Sequence, residues 1–364
     1  MCCLILWLPP LLFFLLFAIM SAGQARDLPI GVVDLDDSPM SRALVRHYDS
    51  SPSLAVTARY GDQRQGVAAL RAGKLYALVI LPSGLERDAR LDRRPQVSAL
   101  VNQQYLLIGR IINGALAQAH GDFVVRLQTA KNLPAVSILS AALTEASPVG
   151  SRLVPLYNAN IDYAHFLVPA MLPAAWHILS VAAAVLALST CRRRLGLVIW
   201  IGTRPVAALI ASLVPPFLLS VLHGLIMLLG MYHILGWPMH GSWTLLATAV
   251  VLTAGATMSV GSLCYFLTMD GARGLSLAAA YAAPGLAYMG VTYPAGDMTP
   301  LATLWRQMLP ISHYIEIQMA QANSATPLLT ALPQFTALTI FLLLLLFPMA
   351  KAHHLATTAP PQPA

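Results

Sequence analysis

Six apolar runs constrain this chain more than any other feature. A helix needs about 20 apolar residues to cross a bilayer. Runs of that order lie at 4–22, 165–190, 205–235, 243–268, 275–293 and 331–350. Composition agrees: 57% of the 364 residues are hydrophobic and only 10% are charged, against about 25% charged in ordinary soluble domains. The charges are also unevenly placed. Of 37 Asp, Glu, Lys and Arg residues, 27 fall between Arg26 and Asp162. The expected architecture is a mainly α, polytopic membrane protein. Six transmembrane helices would carry one large external α/β domain between spans one and two.

Orientation follows from Lys and Arg in the short loops, which gather on the cytoplasmic side. Arg192, Arg193, Arg194 and Arg204 stand between spans two and three with no acid among them. Arg273 lies between spans four and five, and Lys351 follows span six. The opposite short loops hold only Arg306 as a base. The linkers after spans two and four and the tail 351–364 are therefore expected to be cytoplasmic, and the block 24–164 external. The net charge of +7 then reflects topology. The polar block mixes 15 basic with 12 acidic residues. It shows no basic stripe interleaved with aromatics, so no nucleic-acid partner is indicated. The first run, 1–23, admits two readings. It is taken as a retained span or signal-anchor, because no basic residue precedes it; residues 22–25 would otherwise pass for a signal-peptidase site.

The polar block reads as alternating strands and helices. Residues 28–33 form a strand ending at Asp34. Ser38-Pro39 then offers an N-cap followed by Pro at the first helical position. Residues 53–58 form a second strand, and Asp62 caps a helix that runs to Arg71 and stops at Gly73. The apolar run 75–81 fits a buried central strand. Pro82-Ser83 starts another helical turn, 96–102 alternates as a fourth strand, and a long helix covers about 105–145. The tail 358–364 is rich in Pro and Ala and is expected to lack structure.

Several kinds of chemistry are disfavoured. A P-loop needs Gly-x4-Gly-Lys-Ser/Thr. The only Gly-Lys is Gly73-Lys74, with Leu75 after it and Ala68 in the first Gly position. Any ATP-driven work would therefore fall to another chain. Ion-coupled carriers place carboxylates in their spans, and the six runs contain none; His177, His223 and His233 are the main ionisable groups there. Asp34, Asp36 and Asp37 are three carboxylates whose oxygens suit a divalent cation. A strand-to-helix turn whose carboxylates bind backbone N–H groups explains them more simply. The cysteines Cys2, Cys3, Cys191 and Cys264 make neither a disulfide framework in the polar block nor a zinc spacing. Cys2 and Cys3 are read as apolar filling rather than lipid attachment. No metal site and no catalytic cluster emerges.

Two loops deserve separate treatment. In 191–205, Arg192–Arg194 would meet acidic groups or lipid phosphates, and Leu195, Val198 and Trp200 would add apolar contact; a simple topology anchor is the competing reading. In 294–323, Thr299 is expected to cap a helix with Pro300 first. Leu301, Leu304, Trp305, Met308 and Leu309 then share one face, and Pro310 breaks the hairpin before a second piece from Ser312. Such a hairpin suits the outer interface. Pro215-Pro216, in the third run, fits either a hinge or a static kink.

Taken in order, these features resemble the permease subunit of type-2 ATP-binding-cassette (ABC) exporters. The resemblance covers nearly the whole chain. It rests on Leu28-Pro-Ile-Gly-Val-Val-Asp-Leu-Asp-Asp-Ser38, with Asp34, Asp36 and Ser38, followed by Ser41-Arg42. It rests also on Tyr76–Pro82, on Asn158–Tyr163, and on Gly290-Val-Thr-Tyr-Pro294. Met298-Thr-Pro300, Trp305 and Leu309-Pro310-Ile-Ser-His313-Tyr314 complete the series. The resemblance implies a multi-pass protein of the bacterial inner membrane with a periplasmic α/β domain, moving a substrate outward; the apolar spans, with scattered Tyr, Met and Thr, suit an amphiphile, lipid or drug. It implies two permeases, as homo- or heterodimer, and two ABC ATPase subunits that carry ATP and Mg; this chain would hold no cofactor. A periplasmic adaptor and membrane lipids are further expected partners. The loop after span two would be the coupling helix, with Arg192, Arg193, Arg194, Leu195, Gly196 and Trp200 facing the ATPase. That loop departs from the family pattern, in which Glu follows Arg and Gly-Thr precedes a further Glu. The family's amphipathic helix ahead of span one is also expected and does not stand before Leu4. The alternative is a non-transporting receptor or assembly factor that presents the external domain.

Overall fold

The computed structural model describes residues 2–20, 25–91, 93, 95–103, 106–132 and 162–358. Expectations for 133–161 and 359–364 lie outside these residues, including most of the Asn158–Tyr163 motif and nearly all of the Pro/Ala-rich tail. The chain divides into two compact units, Ala22–Tyr163 and Met1–Ser21 with Ala164–Ala364.

The first of these units is built on one sheet. Its strands are β1 (Leu28–Asp34), β2 (Leu54–Tyr60), β3 (Ala77–Leu81) and β4 (Ser98–Val101), in the order β2-β1-β3-β4. β1 pairs in parallel with β2 and β3, whereas β4 runs antiparallel to β3. The two central strands are covered on both faces, so their sequences are nearly continuous apolar runs. Ile30 and Val32 pack with Leu44 and Tyr48 of α2 (Pro39–Asp49) and Ile112 of α5 (Leu106–Asn132). Val33 lies on the opposite face with Leu75 and Leu78, beneath α3 (Gln63–Arg71). Each such buried side chain contributes about 1.5–3 kcal/mol. The Tyr48 hydroxyl and His120 Nδ1, 2.9 Å apart, tie α2 to α5. Burial pushes the His120 pKa down. α4 (Leu85–Arg90) follows β3.

The turn between β1 and α2 explains the aspartates. Asp34 Oδ1 accepts the N–H groups of Asp36 (3.1 Å) and Asp37 (3.0 Å), and its Oδ2 accepts the Ser41 hydroxyl (2.7 Å). Ser38 and Ser41 form a reciprocal capping box at the start of α2. Asp36 accepts from Gly84 N (2.7 Å) and Glu86 N (3.0 Å), which joins this turn to the start of α4. Burial opposes ionisation of Asp36, yet the bonds from Ser38 and these amides hold its pKa below the ordinary value. Arg42 pairs with Asp37 at 2.9 Å. The carboxylates are thus engaged by backbone and hydroxyl donors, and no group arranged for a metal occurs among the described residues.

In the other unit, four helical segments among the described residues are long and apolar enough to span a bilayer: Ala164–Leu195, Pro205–Ile234, Trp243–Thr268 and Leu328–Thr358. They comprise α6 (Tyr163–Leu195), α8 (Pro205–Leu229) with a π-helical turn Gly230–Ile234, α9 (Trp243–Thr268), and α14 (Leu328–Phe341) joined by a 3-10 turn to α15 (Leu346–Thr358). α1 (Cys2–Met20) is a 19-residue helix whose described apolar stretch, Trp7–Leu16, is shorter than a span. The run expected as a fifth span, 275–293, is not one continuous helix in the structure. It forms α10 (Gly271–Ala282) and the single turn α11 (Gly285–Tyr288). Pro284 lacks the N–H that a continuing helix requires at that point. The segment from Lys351 continues α15, which stays helical through Thr358. α8 continues through Pro215 and Pro216 without interruption.

Helices pack closely where small residues allow it. A Cβ added to Gly261 of α9 would lie 2.5 Å from the Val181 carbonyl oxygen of α6. Trp176 of α6 donates its indole N–H to the Ser220 carbonyl of α8 (2.9 Å), and its ring lies 5.4 Å from that of Tyr314. Tyr314 belongs to α13 (Pro310–Ser324).

Candidate functional site

The loop between α6 and α8 is a folded element. α6 ends in Arg192, Arg193 and Arg194, cations suited to a helix C-terminus. Gly196 (φ 75°) and Gly202 (φ 53°) bracket the five-residue helix α7 (Leu197–Ile201). Both take a backbone conformation that favours glycine. One side of α7 faces the core. Trp200 is 6% exposed; its ring lies 6.3 Å from Tyr265 and from Phe266 of α9. Its indole N–H donates to Ser212 Oγ of α8 at 2.8 Å. Ile201 is buried beside it. The other side carries Ile199, 64% exposed, together with exposed Leu195 and Val198. Arg193, Arg194 and Arg204 are exposed around them.

This geometry changes the part expected of Trp200. It anchors α7 to α8 and α9, and Ile199 is the outward-facing apolar side chain instead. Five residues make too short a repeat for a sequence pattern to separate the two sides. Arg192 likewise turns to the protein, donating to the Met269 carbonyl. Met269 has φ 51° and ends α9, and Asp270 accepts the Arg273 N–H (2.8 Å) to begin α10. The base of the loop is therefore tied to the α9–α10 turn.

The segment 294–323 is built of a 3-10 turn and two helices around a buried cation. Pro294 precedes a 3-10 turn Ala295–Asp297, then Met298, and Pro300 opens α12 (Pro300–Gln307). Thr299 takes the N-cap conformation, but its side chain makes no capping bond. Pro310 begins α13. The shared apolar face of α12 is split: Leu301, Leu304 and Met308 are exposed, whereas Leu309 is buried. Arg306 turns inward and is 8% exposed. It donates to the Tyr288 carbonyl (3.2 Å) and pairs with Glu316 of α13. Gly290 has φ 92°, and a Cβ there would stand 3.0 Å from Arg306 Nη1. His313 donates from Nε2 to the Gln307 carbonyl (3.0 Å), and its Nδ1 meets the Gln334 side-chain amide at 2.6 Å. Trp305 packs on Tyr281 with ring centroids 6.2 Å apart. Sequence reasoning noted Arg306 only as a topology charge and passed over Glu316. The available signal was that Glu316 is the last acidic residue of a strongly apolar segment, where a partner is needed.

Comparison with protein-family models matches residues 1–349 to the family described as ABC-2 family transporter protein. The chain belongs to the ABC-2 transporter family. Comparisons with curated proteins and with solved structures returned no match. ABC-2 membership makes this a multi-pass membrane protein of the permease class. The loop 191–205 and the hairpin 294–323 lie within the matched residues.

Proposed function

We propose that this ABC-2 protein is the permease subunit of an exporter of the bacterial inner membrane. A separate ABC ATPase binds and hydrolyses ATP with Mg, and two permeases form the path as a homo- or heterodimer. The substrate is an amphiphile, lipid or drug, and the α/β unit is periplasmic, where it can meet an adaptor protein. The observation that carries this reading is the two-sided α7. Its inner side is fixed by Trp200, while Ile199, Arg193 and Arg194 are presented outward. A partner pressing on that outward side displaces an element tied through Trp200 to α8 and α9, and through Arg192 to the α9–α10 turn. ATP binding then selects one of two bundle states only to the extent that the partner binds them differently.

The test is purification of the tagged chain from its host in mild detergent. A P-loop ATPase should accompany the wild type, and Ile199→Asp with Arg193→Glu and Arg194→Glu should release it. An inserted, stable chain that brings no ATPase would remove the transport reading and leave the receptor or assembly role.

A further inference from the structure

The membrane unit holds a cleft of about 810 Å³ between α9, α10, α12, α13 and α14. That volume lies within the usual range for small-molecule sites. One wall is apolar, with Leu263, Leu267, Leu277, Ile340, Phe341 and Leu344. The polar groups gather where the hairpin meets the bundle, and they include Ser312, Arg306 and Glu316. The cleft is thus segregated into a long apolar part and a short polar part.

The polar part holds an ion pair whose two halves are unequally exposed. Arg306 is nine-tenths buried and occupied by Tyr288 and Glu316. Glu316 is 39% exposed, and only its Oε1 engages Arg306. Its second oxygen is left for a donor from the cleft. His313 already has both ring nitrogens engaged, by Gln307 and Gln334. Ser312 lines the same cleft, is buried, and its hydroxyl has no partner among the described residues. The accessible charge is therefore the Glu316 carboxylate, while the Ser312 hydroxyl stays buried behind the cleft wall.

The geometry points to a binding site for a cationic amphiphile, with its ammonium or amine head at Glu316 and its alkyl or aromatic body along Leu263, Leu267 and Phe341. A carboxylate at the edge of an apolar cleft favours a cation and repels an anion of the same tail length. The site belongs to one chain and needs no ATPase, so it stands apart from the coupling reading. Amphiphile binding with no ATPase recovered removes only the transport reading. ATPase recovery with no amphiphile binding removes only this one.

The test uses the full chain in nanodiscs of zwitterionic lipid, with empty nanodiscs as the partition baseline. Radiolabelled dodecyltrimethylammonium is the probe, and dodecyl sulfate and dodecyl maltoside are competitors with the same tail. Saturable binding of the cation is expected, with dodecyl sulfate a poor competitor. Glu316→Gln should weaken binding about tenfold. Leu267→Trp fills the apolar wall without touching the Arg306–Glu316 pair, and should abolish binding in a chain of unchanged thermal stability. Equal competition by dodecyl sulfate, or full binding by a folded Leu267→Trp chain, overturns the proposal. So does disulfide trapping between two copies through Leu267→Cys, because a second chain would then fill the cleft.

Discussion

The Arg306–Glu316 pair predicts an asymmetry between its two halves. Arg306 has a side chain only 10% exposed, whereas the Glu316 side chain is 39% exposed. Removing Glu316 strands a buried guanidinium with the Tyr288 carbonyl as its remaining acceptor. Removing Arg306 leaves a carboxylate that is only partly buried. A fully buried pair loses about 3–5 kcal/mol when one partner is deleted, and an exposed pair about 0–1 kcal/mol. Glu316→Ala should therefore cost about 2–3 kcal/mol, near the buried limit. Arg306→Met, which keeps the volume of the stem, should cost about 1–2 kcal/mol. The double variant should cost less than the sum, with a coupling of about 1–2 kcal/mol. The assay is reversible unfolding in mixed micelles of rising dodecyl sulfate fraction, followed by tryptophan fluorescence because Trp305 sits on α12. Equal costs for the two single variants, or a more damaging Arg306→Met, would refute the argument from unequal burial.

Three further outcomes follow from geometry. Trp200→Ala should lower stability by about 3–5 kcal/mol, and Ile199→Ala should leave it unchanged while weakening ATPase recovery at least tenfold; melting and co-purification on the same samples separate the two. Ser41→Ala removes half the capping box and the bond to Asp34, and should cost about 1 kcal/mol, seen as faster amide exchange at the start of α2. Because burial lowers the His120 pKa, the unfolded chain takes up a proton first as pH falls through its ordinary value of about 6.5. The contribution of His120 is therefore intact above about pH 6.5 and is lost progressively as pH falls toward the folded value; exchange protection of α2 and α5 should weaken from pH 7 to 5 and lose that dependence in His120→Gln.

Local chemistry made part of this structure readable in advance. The Ser38-Pro39 start of α2, the Asp62 cap of α3 and the apolar centre of β3 all depend on neighbours within a few residues. The span at 243–268 was legible because apolar length alone determines it. The break within the fifth run was not legible because mean hydropathy does not register the missing N–H of Pro284. The inward turn of Trp200 was hidden because its contacts, Ser212, Tyr265 and Phe266, come from two other helices. Arg306 and Glu316 lie ten positions apart on separate helices, and no helical or strand repeat relates residues at that spacing.

The Arg192 contact at the α9–α10 turn has an acceptor of a particular kind. It is the main-chain oxygen of Met269, which every amino acid carries. Replacing the Met269 side chain leaves that oxygen in place, so ordinary substitution there cannot sever the joint. Only a change in backbone path can do so, such as one that denies residue 269 its left-handed conformation. The linkage is therefore inherited as geometry rather than as residue identity, and related chains can share it while agreeing at position 192 alone.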